Sequence, residues 1–232
     1  YLARRTGVDM AGKKVVIRTL DVGADKQAAC FPSEHEANPA LGMRGIRFCL
    51  EHRDIFKEQL RAILRASAYG TVAVMFPMVT SVREVRDAKE VLEECREELL
   101  QRGTVLGEIE VGIMVETPAA ALIAEELAPE VDFFSLGTND LTQYVLAIDR
   151  QNPKLAPFYN AQHAAVMQLI RLTVEAGHRH GCWVGICGDL GADPTLAEAF
   201  LRMGVDELSV PPAAVLPLRQ KIRGMDLSQK KG

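Results

Sequence analysis

The sequence predicts an α/β fold with a parallel sheet, of the TIM (β/α)8 barrel type but incomplete, with about six of the eight strand–helix units present. Three observations lead to this prediction. Short apolar runs recur along the 232 residues, helical patterns separate them, and polar residues follow the ends of the runs. Apolar runs that are continuous rather than alternating are typical of parallel strands buried on both faces.

The predicted strands are short and evenly distributed along the chain: 15–21, 72–79, 111–117, 131–138, 183–189 and 207–210. The clearest helix between them covers 81–102, where Ser81 and Glu84 form a capping-box pattern and Gly103 marks the end. A further helix is predicted near 163–180. Thr117 and Asp193 each precede a proline, which predicts that two more helices begin there.

Repeated strand–helix units fit either an open doubly wound sheet or a barrel. No glycine-rich phosphate loop follows the first strand, which weakens the open nucleotide-binding alternative. No low-complexity linker interrupts the pattern, so residues 1–232 are expected to form a single barrel domain. The first residue is Tyr1 rather than Met, which suggests a piece of a longer protein.

Composition narrows the class of protein. The net charge of −4 at pH 7 gives no indication of binding to nucleic acid or to an anionic membrane surface. No apolar run is long enough to span a membrane, and no signal peptide opens the chain. The five cysteines are odd in number and form no C-x-x-C pair, which favours free thiols in a reducing cytoplasm.

Polar side chains follow the predicted strands at their carboxyl ends, the edge that carries active sites in barrels. Glu116 and Asp140 follow consecutive strands, so their carboxylates can converge. Two carboxylates near several arginines suit a Mg²⁺ ion that keeps coordination positions for water and an anionic substrate. The alternative is that these carboxylates only cap helices or form salt bridges.

Arginines and a cysteine complete the candidate site. Arg18 interrupts an apolar strand, where an unpaired cation would be costly, and Arg44 and Arg150 lie in adjoining segments. A guanidinium can bind phosphate or carboxylate through two nitrogens, so these residues indicate an anion site. Cys187 is either a small buried apolar residue or an acid or nucleophile, and the neighbouring Asp189 favours a protonated thiol.

Six stretches of the chain are together similar to one enzyme family: VVIRTLDVGADK (15–26), NPALGMRGIR (38–47), MFPMVTSVREV (75–85), GIMVETPAAALIAEELA (112–128), VDFFSLGTNDLTQYVLAIDR (131–150) and GICGDLGAD (185–193). They resemble phosphoenolpyruvate–protein phosphotransferase, enzyme I of the bacterial sugar phosphotransferase system, in its C-terminal barrel that binds phosphoenolpyruvate (PEP). The resemblance covers nearly the whole chain, and no single motif carries it alone.

The resemblance implies a role for each candidate residue at the phosphate end of PEP. Glu116 and Asp140 match the ligands of Mg²⁺, which bridges to the phosphate and carboxylate of PEP, so Asp140 also belongs to the substrate site. Arg18 and Arg44 match arginines that hold the phosphate. These assignments agree with the chemistry, since phosphoryl transfer depends mainly on positioning and on neutralising charge.

The resemblance also implies residues for the rest of the substrate. Asn139 and Arg150 match residues at the carboxylate end of PEP, and Cys187 matches the acid that protonates the enolate carbon and so releases pyruvate. The implied partners are a phosphohistidine domain in the N-terminal part of the same protein, the phosphocarrier protein HPr reached through it, and a second copy in a homodimer. The implied location is the cytoplasm, with no membrane insertion and no nucleic acid.

Some features depart from the family pattern. Met43 stands where an aromatic is more common, and Asp189 stands where Glu is more common. The histidine motif and the first two barrel strands, with another phosphate-binding arginine, are not found in these residues, so the isolated chain is expected to be inactive in net transfer. The alternatives are the barrel of pyruvate phosphate dikinase or PEP synthase, and a fragment that only mediates dimerisation.

Overall fold

Six parallel strands alternate with helices along the residues that the computed structural model describes, 12–21 and 36–228. The strands are β1 (Val15–Arg18), β2 (Val72–Phe76), β3 (Ile109–Val115), β4 (Phe133–Gly137), β5 (Trp183–Cys187) and β6 (Glu207–Leu208). The helices are α1 (Ile46–Glu51), α2 (Arg53–Ala66), α3 (Val82–Gln101), α4 (Pro118–Leu122), α5 (Ala124–Leu127), α6 (Thr138–Leu146), α7 (Ala164–Arg179), α8 (Asp189–Ala192), α9 (Ala197–Met203) and α10 (Pro212–Arg223). The predicted α/β class with six strand–helix units is confirmed.

The chain divides into two units, residues 1–114 and 115–232. In the first unit, β1, β2 and β3 pair in that order and all in parallel. All five residues of β2 are buried. Helices α2 and α3 cover the strands, and the rings of Phe56 and Phe76 meet edge to face at 6.0 Å between centroids. The neighbouring strand β1 ends at Arg18, one of the candidate residues.

Helices α2 and α3 are also joined on their outer sides by a chain of ion pairs. Arg53 and Lys57 both contact Glu94 at 2.8 Å, and Lys57 continues to Glu98 at 3.2 Å. Arg61 completes the chain with a contact to Glu98 at 3.1 Å. The side chains are partly exposed, so each pair contributes little, and the network acts by fixing the relative position of the two helices.

In the second unit, β4, β5 and β6 pair in that order, again in parallel. Phe133 and Trp183 stack at 4.3 Å between ring centroids on neighbouring strands. Helix α7 approaches the strands closely at Gly177, because a Cβ there would lie 2.7 Å from a methyl carbon of Val184. This close contact accounts for the glycine in the last turn of an otherwise ordinary helix.

Most of the predicted boundaries agree with the structure. Helix α3 begins after Ser81 with both hydrogen bonds of the predicted capping box, and Thr117 caps α4 by accepting from the amide of Ala120. Asp193 is the exception. Its carboxylate accepts hydrogen bonds from Thr195 within a turn, and α9 begins later, at Ala197. The local Asp–Pro signal therefore marked a turn before the helix rather than the helix itself.

Two further differences concern the ends of the described chain. Strand β1 is shorter than predicted, and the part of the first motif that covers 22–26 lies outside the described residues, as does Cys30. After β6 the chain forms α10, which no pattern in the sequence analysis predicted. None of the helices in the described ranges combines the length and the apolar composition that a bilayer crossing requires.

Candidate functional site

The first unit brings two of the predicted anion-binding arginines onto one carboxylate. Arg44 contacts both carboxylate oxygens of Asp21 at 3.2 Å, and Arg18 contacts one of them at 3.2 Å. The side chains of Arg44 and Asp21 are 2% and 0% exposed, whereas that of Arg18 is 37% exposed. Among the described residues this group joins two guanidinium groups to one carboxylate, and guanidinium groups suit binding of an anion.

The chain fixes Arg44 through a tight crossing of two backbone segments. Gly45 has φ of 58°, and a Cβ there would lie 2.7 Å from the Cβ of Met78, itself at φ of 59°. The amide of Ile46 donates to the carbonyl of Pro77 at 3.1 Å. Since only glycine adopts this conformation without strain and leaves room for Met78, Gly45 sets where Arg44 starts.

The end of β1 is held by a side chain that the sequence analysis did not single out. The Gln59 carboxamide on α2 accepts from the amide of Leu20 at 2.9 Å and donates to the carbonyl of Arg18 at 3.4 Å. Gln59 therefore braces the backbone between Arg18 and Asp21. Only its long-range contact identifies it, because nothing in the helical pattern of 53–66 marks this position.

The second unit contains both predicted metal ligands. Glu116 follows β3 directly and is 1% exposed, and Asp140 lies in the first turn of α6 and is 6% exposed. Arg150 approaches Asp140 at 4.0 Å. Within the described ranges no group of three or more His, Cys, Asp or Glu side chains forms a metal site. Two buried carboxylates nevertheless suffice for Mg²⁺ when the substrate and water supply the other oxygen ligands.

In the second unit, hydrogen bonds join the segment 138–140, at the start of α6, to the segment 187–189, at the end of β5. Thr138 donates from its hydroxyl to the carbonyl of Cys187 at 3.0 Å, and the side-chain oxygen of Asn139 accepts from the amide of Asp189 at 3.0 Å. Gly188 lies between these contacts with φ of 98°, and a Cβ there would lie 2.7 Å from the Thr138 hydroxyl. Because the Asn139 oxygen is occupied, its NH₂ group remains to donate elsewhere.

Cys187 is the one partly exposed thiol among the described cysteines. Its sulfur lies 3.4 Å from the carbonyl of Leu136, to which it can donate, and 3.4 Å from the hydroxyl of Ser135. Cys49, Cys95 and Cys182 differ from it. They are buried, and burial raises the pKa of each thiol, to about 12 for Cys49. High thiol pKa values are typical of buried cysteines with a structural role.

Two more residues of this unit were missed by the sequence analysis. Gln143, 8% exposed, accepts from the amide of Arg150 with its side-chain oxygen at 3.0 Å. Tyr159 donates to the carbonyl of Asn139 at 3.4 Å, and burial is the main cause that raises its pKa. Gln143 could have been noticed as a polar residue three positions after Asp140 on one helix face, whereas Tyr159 lies in an irregular proline-containing segment without a local signal.

Comparison with known proteins identifies one family of enzymes. A family model described as "PEP-utilising enzyme, PEP-binding domain" matches residues 6–227. The chain is 47% identical over 225 residues to the phosphoenolpyruvate-protein phosphotransferase of Bacillus sp. (strain S), covering 96% of this chain and 39% of that protein. It is 48% identical over 214 residues to the protein of the same name in Bacillus subtilis (strain 168), covering 92% and 38%. The chain thus spans well under half of the length of these relatives.

Solved structures support the fold alone. A citrate lyase from Burkholderia xenovorans LB400 is 21% identical and superposes with a TM-score of 0.56 over 73% of this chain and 54% of its own. A pyruvate kinase from Pyrobaculum aerophilum is 17% identical, with a TM-score of 0.50 over 73% of this chain and 39% of its own. At these identities the similarity establishes the strand–helix arrangement and leaves the chemistry to the residues.

Proposed function

This chain belongs to the PEP-binding domain family of the PEP-utilising enzymes, and from that membership we propose that the protein containing it transfers the phosphoryl group of PEP to a protein histidine. The close relatives carry the name phosphoenolpyruvate-protein phosphotransferase, which supports this choice over the dikinase and synthase alternatives. Two observations carry the proposal: the first unit holds a group of two arginines on one carboxylate, and the second unit holds two buried carboxylates.

Glu116 and Asp140 are the proposed Mg²⁺ ligands. Both offer hard oxygen donors, both are buried, and a pair of buried carboxylates is costly unless cations neutralise it. Bound Mg²⁺ would neutralise charge on the phosphoryl oxygens of PEP. Arg150, next to Asp140, is the proposed ligand of the carboxylate of PEP, together with the NH₂ group of Asn139.

Arg18 and Arg44 are the proposed ligands of the PEP phosphate. In the reaction, the bond between phosphorus and the enol oxygen breaks, a bond between phosphorus and a histidine nitrogen forms, and the enolate of pyruvate is left. Cys187 gives its proton to the methylene carbon of that enolate, which completes pyruvate. The contact from Ser135 to the Cys187 sulfur would stabilise the thiolate that remains.

The acceptor histidine, the carrier protein HPr and the dimer belong to the proposal for the whole protein. The chain matches only 39% of its relatives, which leaves room in them for a histidine domain. The free thiols expected from the odd cysteine count support a cytoplasmic location. Transfer to HPr would make this reaction the first step of sugar uptake by the phosphotransferase system.

Calorimetric titration of the full-length protein with PEP tests the site. We expect PEP affinity to fall by about tenfold or more when Mg²⁺ is removed, and Glu116→Gln or Asp140→Asn to abolish this Mg²⁺ dependence. Glu175→Gln on the exposed side of α7 is the matched control and should leave it intact. PEP binding that is equally tight without the metal would remove Glu116 and Asp140 from the proposed role.

A further inference from the structure

The loop after α6 carries Arg150 and is anchored on the same helix. Helix α6 ends at Leu146, and the following residue, Ala147, has φ of 53° and donates its amide to the carbonyl of Gln143. The amide of Ile148 donates to the same carbonyl at 3.0 Å. Two residues later, the amide of Arg150 donates to the side-chain oxygen of Gln143 at 3.0 Å. One residue of the helix thus accepts three amides of the turn that leads to Arg150.

Gln143 lies on the face of α6 that also presents Asp140, because residues three positions apart are neighbours on a helix. Asp140 faces the guanidinium of Arg150 at 4.0 Å, while Gln143 holds its backbone. One face of α6 therefore contacts both the guanidinium and the backbone amide of Arg150. The Gln143 side chain is nearly buried, so water does not readily replace it as the acceptor for the Arg150 amide.

The far end of the loop returns to the same helix. Asn152 caps the short helical turn Pro153–Phe158 by accepting from the amide of Lys154 at 3.1 Å. Tyr159 then follows, and its hydroxyl donates to the carbonyl of Asn139 at 3.4 Å. The charge of Arg150 acts on the Tyr159 hydroxyl and lowers its pKa, against the larger raising effect of burial.

We propose that Gln143 is a positioning residue for the PEP site, which fixes the backbone of Arg150 so that its guanidinium stays in place for the PEP carboxylate, and that Tyr159 holds the other end of this loop. The proposal rests on the proposed function, in which Arg150 binds that carboxylate. Gln143 touches neither PEP nor the reacting atoms, and it acts only through Arg150.

The proposal predicts a separation of kinetic constants. Arg150 would bind an end of PEP that undergoes no bond change, so loosening it weakens substrate and transition state equally. In the full-length protein, Gln143→Leu keeps the side-chain volume and removes the acceptor. We expect it to raise the Kd and KM for PEP about fivefold, with kcat for phosphoryl transfer unchanged.

A double-mutant cycle separates positioning from general damage. Arg150→Ala should raise the Kd for PEP by about tenfold or more, and Gln143→Leu should then add almost nothing in the Arg150→Ala background. Gln168→Leu, which removes an exposed carboxamide from α7, is the matched control and should leave the Kd unchanged in both backgrounds. Thermal unfolding of each variant is followed in parallel.

The outcomes distinguish an error in the role of Arg150 from an error in the role of Gln143. If Arg150→Ala leaves PEP affinity unchanged, the role of Arg150 in the proposed function is wrong. If Arg150→Ala weakens binding and Gln143→Leu weakens it further by the same factor as in the unaltered protein, Gln143 does not act through Arg150 and the inference is overturned, while the proposed function stands.

Tyr159→Phe provides a variant that loses a single hydroxyl and keeps the ring. We expect a rise of about threefold in the Kd for PEP that disappears in the Arg150→Ala background. Tyr69→Phe in the first unit is the matched control. A Kd that Tyr159→Phe leaves unaltered, or raises equally in both backgrounds, would contradict the anchoring role of Tyr159.

Discussion

Among single residues, two glycines fix the backbone conformation next to candidate side chains. Gly45 precedes α1, where a Cβ would meet Met78, and Gly188 follows Cys187, where a Cβ would meet the hydroxyl of Thr138. Both have positive φ, a backbone conformation that other residues adopt at modest cost only where the surroundings are open. Since the surroundings are closed at both positions, conformation and space together require glycine beside Arg44 and beside Cys187.

A pair of glycine substitutions separates these two requirements. Gly103→Ala, at φ of 72° with no atom within 4 Å of a new Cβ, should cost only the backbone penalty of about 1 kcal/mol. Gly45→Ala should cost roughly 2–4 kcal/mol, because the new Cβ also meets Met78. Denaturant unfolding measures both, and equal costs would show that the crossing at Met78 relaxes freely.

The proposed acid is tested by changing one sulfur. In the full-length protein, Cys187→Ala should leave the Kd for PEP within about twofold and slow the formation of pyruvate by roughly 10²–10⁴-fold, the usual contribution of a general acid. Single-turnover measurements follow phosphoryl transfer and pyruvate release separately. Cys95→Ala, at a buried thiol of the first unit, is the control, and full activity in Cys187→Ala would refute the assignment.

Among the elements, short helices of the second unit are held by side chains from long ones. Glu125 on α5 contacts Arg179 at 2.6 Å and His180 at 2.9 Å, at the C-terminal end of α7. The Arg179 guanidinium lies where the helix dipole also favours positive charge. The hydrogen bonds from Arg179 first, and then from His180, lower the pKa of Glu125 from 4.5 to about 2.

The depressed pKa predicts a pH window for this contact. A carboxylate whose pKa is lower in the folded than in the unfolded protein stabilises the fold above its ordinary value of 4.5, and that contribution is lost as the pH falls toward about 2. The melting temperature of the unaltered chain should therefore exceed that of Glu125→Gln at neutral pH, and the difference should shrink across this window. Glu126→Gln, one residue away, controls for net charge, and a difference that persists at the acid end would contradict the prediction.

For the molecule as a whole, the candidate residues are divided between the two units. Arg18, Asp21 and Arg44 belong to the first, and the second holds the rest: Glu116, Asn139, Asp140, Arg150 and Cys187. The first group contains two guanidinium groups on one carboxylate, and the second combines buried carboxylates with a thiol. The two units therefore hold candidate residues of different chemical character.

The whole-chain prediction concerns what residues 1–232 do alone. With radiolabelled PEP, Mg²⁺ and the carrier protein, they should label no carrier, because the proposal places the acceptor histidine elsewhere in the protein. Binding of PEP should still be detectable by titration. Full-length protein in the same buffer is the control, and labelling by residues 1–232 alone would show that one of their own histidines accepts the phosphoryl group.

The local parts of the fold were predictable because their causes are local. The capping box at Ser81 and Glu84 and the cap at Thr117 involve neighbours in the chain, and the structure confirms both. The prediction that a helix begins at Asp193 was wrong for a related reason, since the side chain of Asp can stabilise a turn as well as a helix N-terminus. The α10 helix was missed because its prolines, Pro212 and Pro217, hide a helical pattern.

The sequence by itself determined the strand–helix rhythm and the residue types at strand ends, since burial of apolar runs and the termination of strands are encoded in short stretches. Only the tertiary structure decided which groups pair: that Asp21 lies between Arg18 and Arg44, that Asn139 accepts from Asp189, and that Gln143 holds Arg150. Such contacts join residues that are distant in sequence or lie in irregular loops. Their geometry depends on how whole elements pack, and no local pattern specifies it.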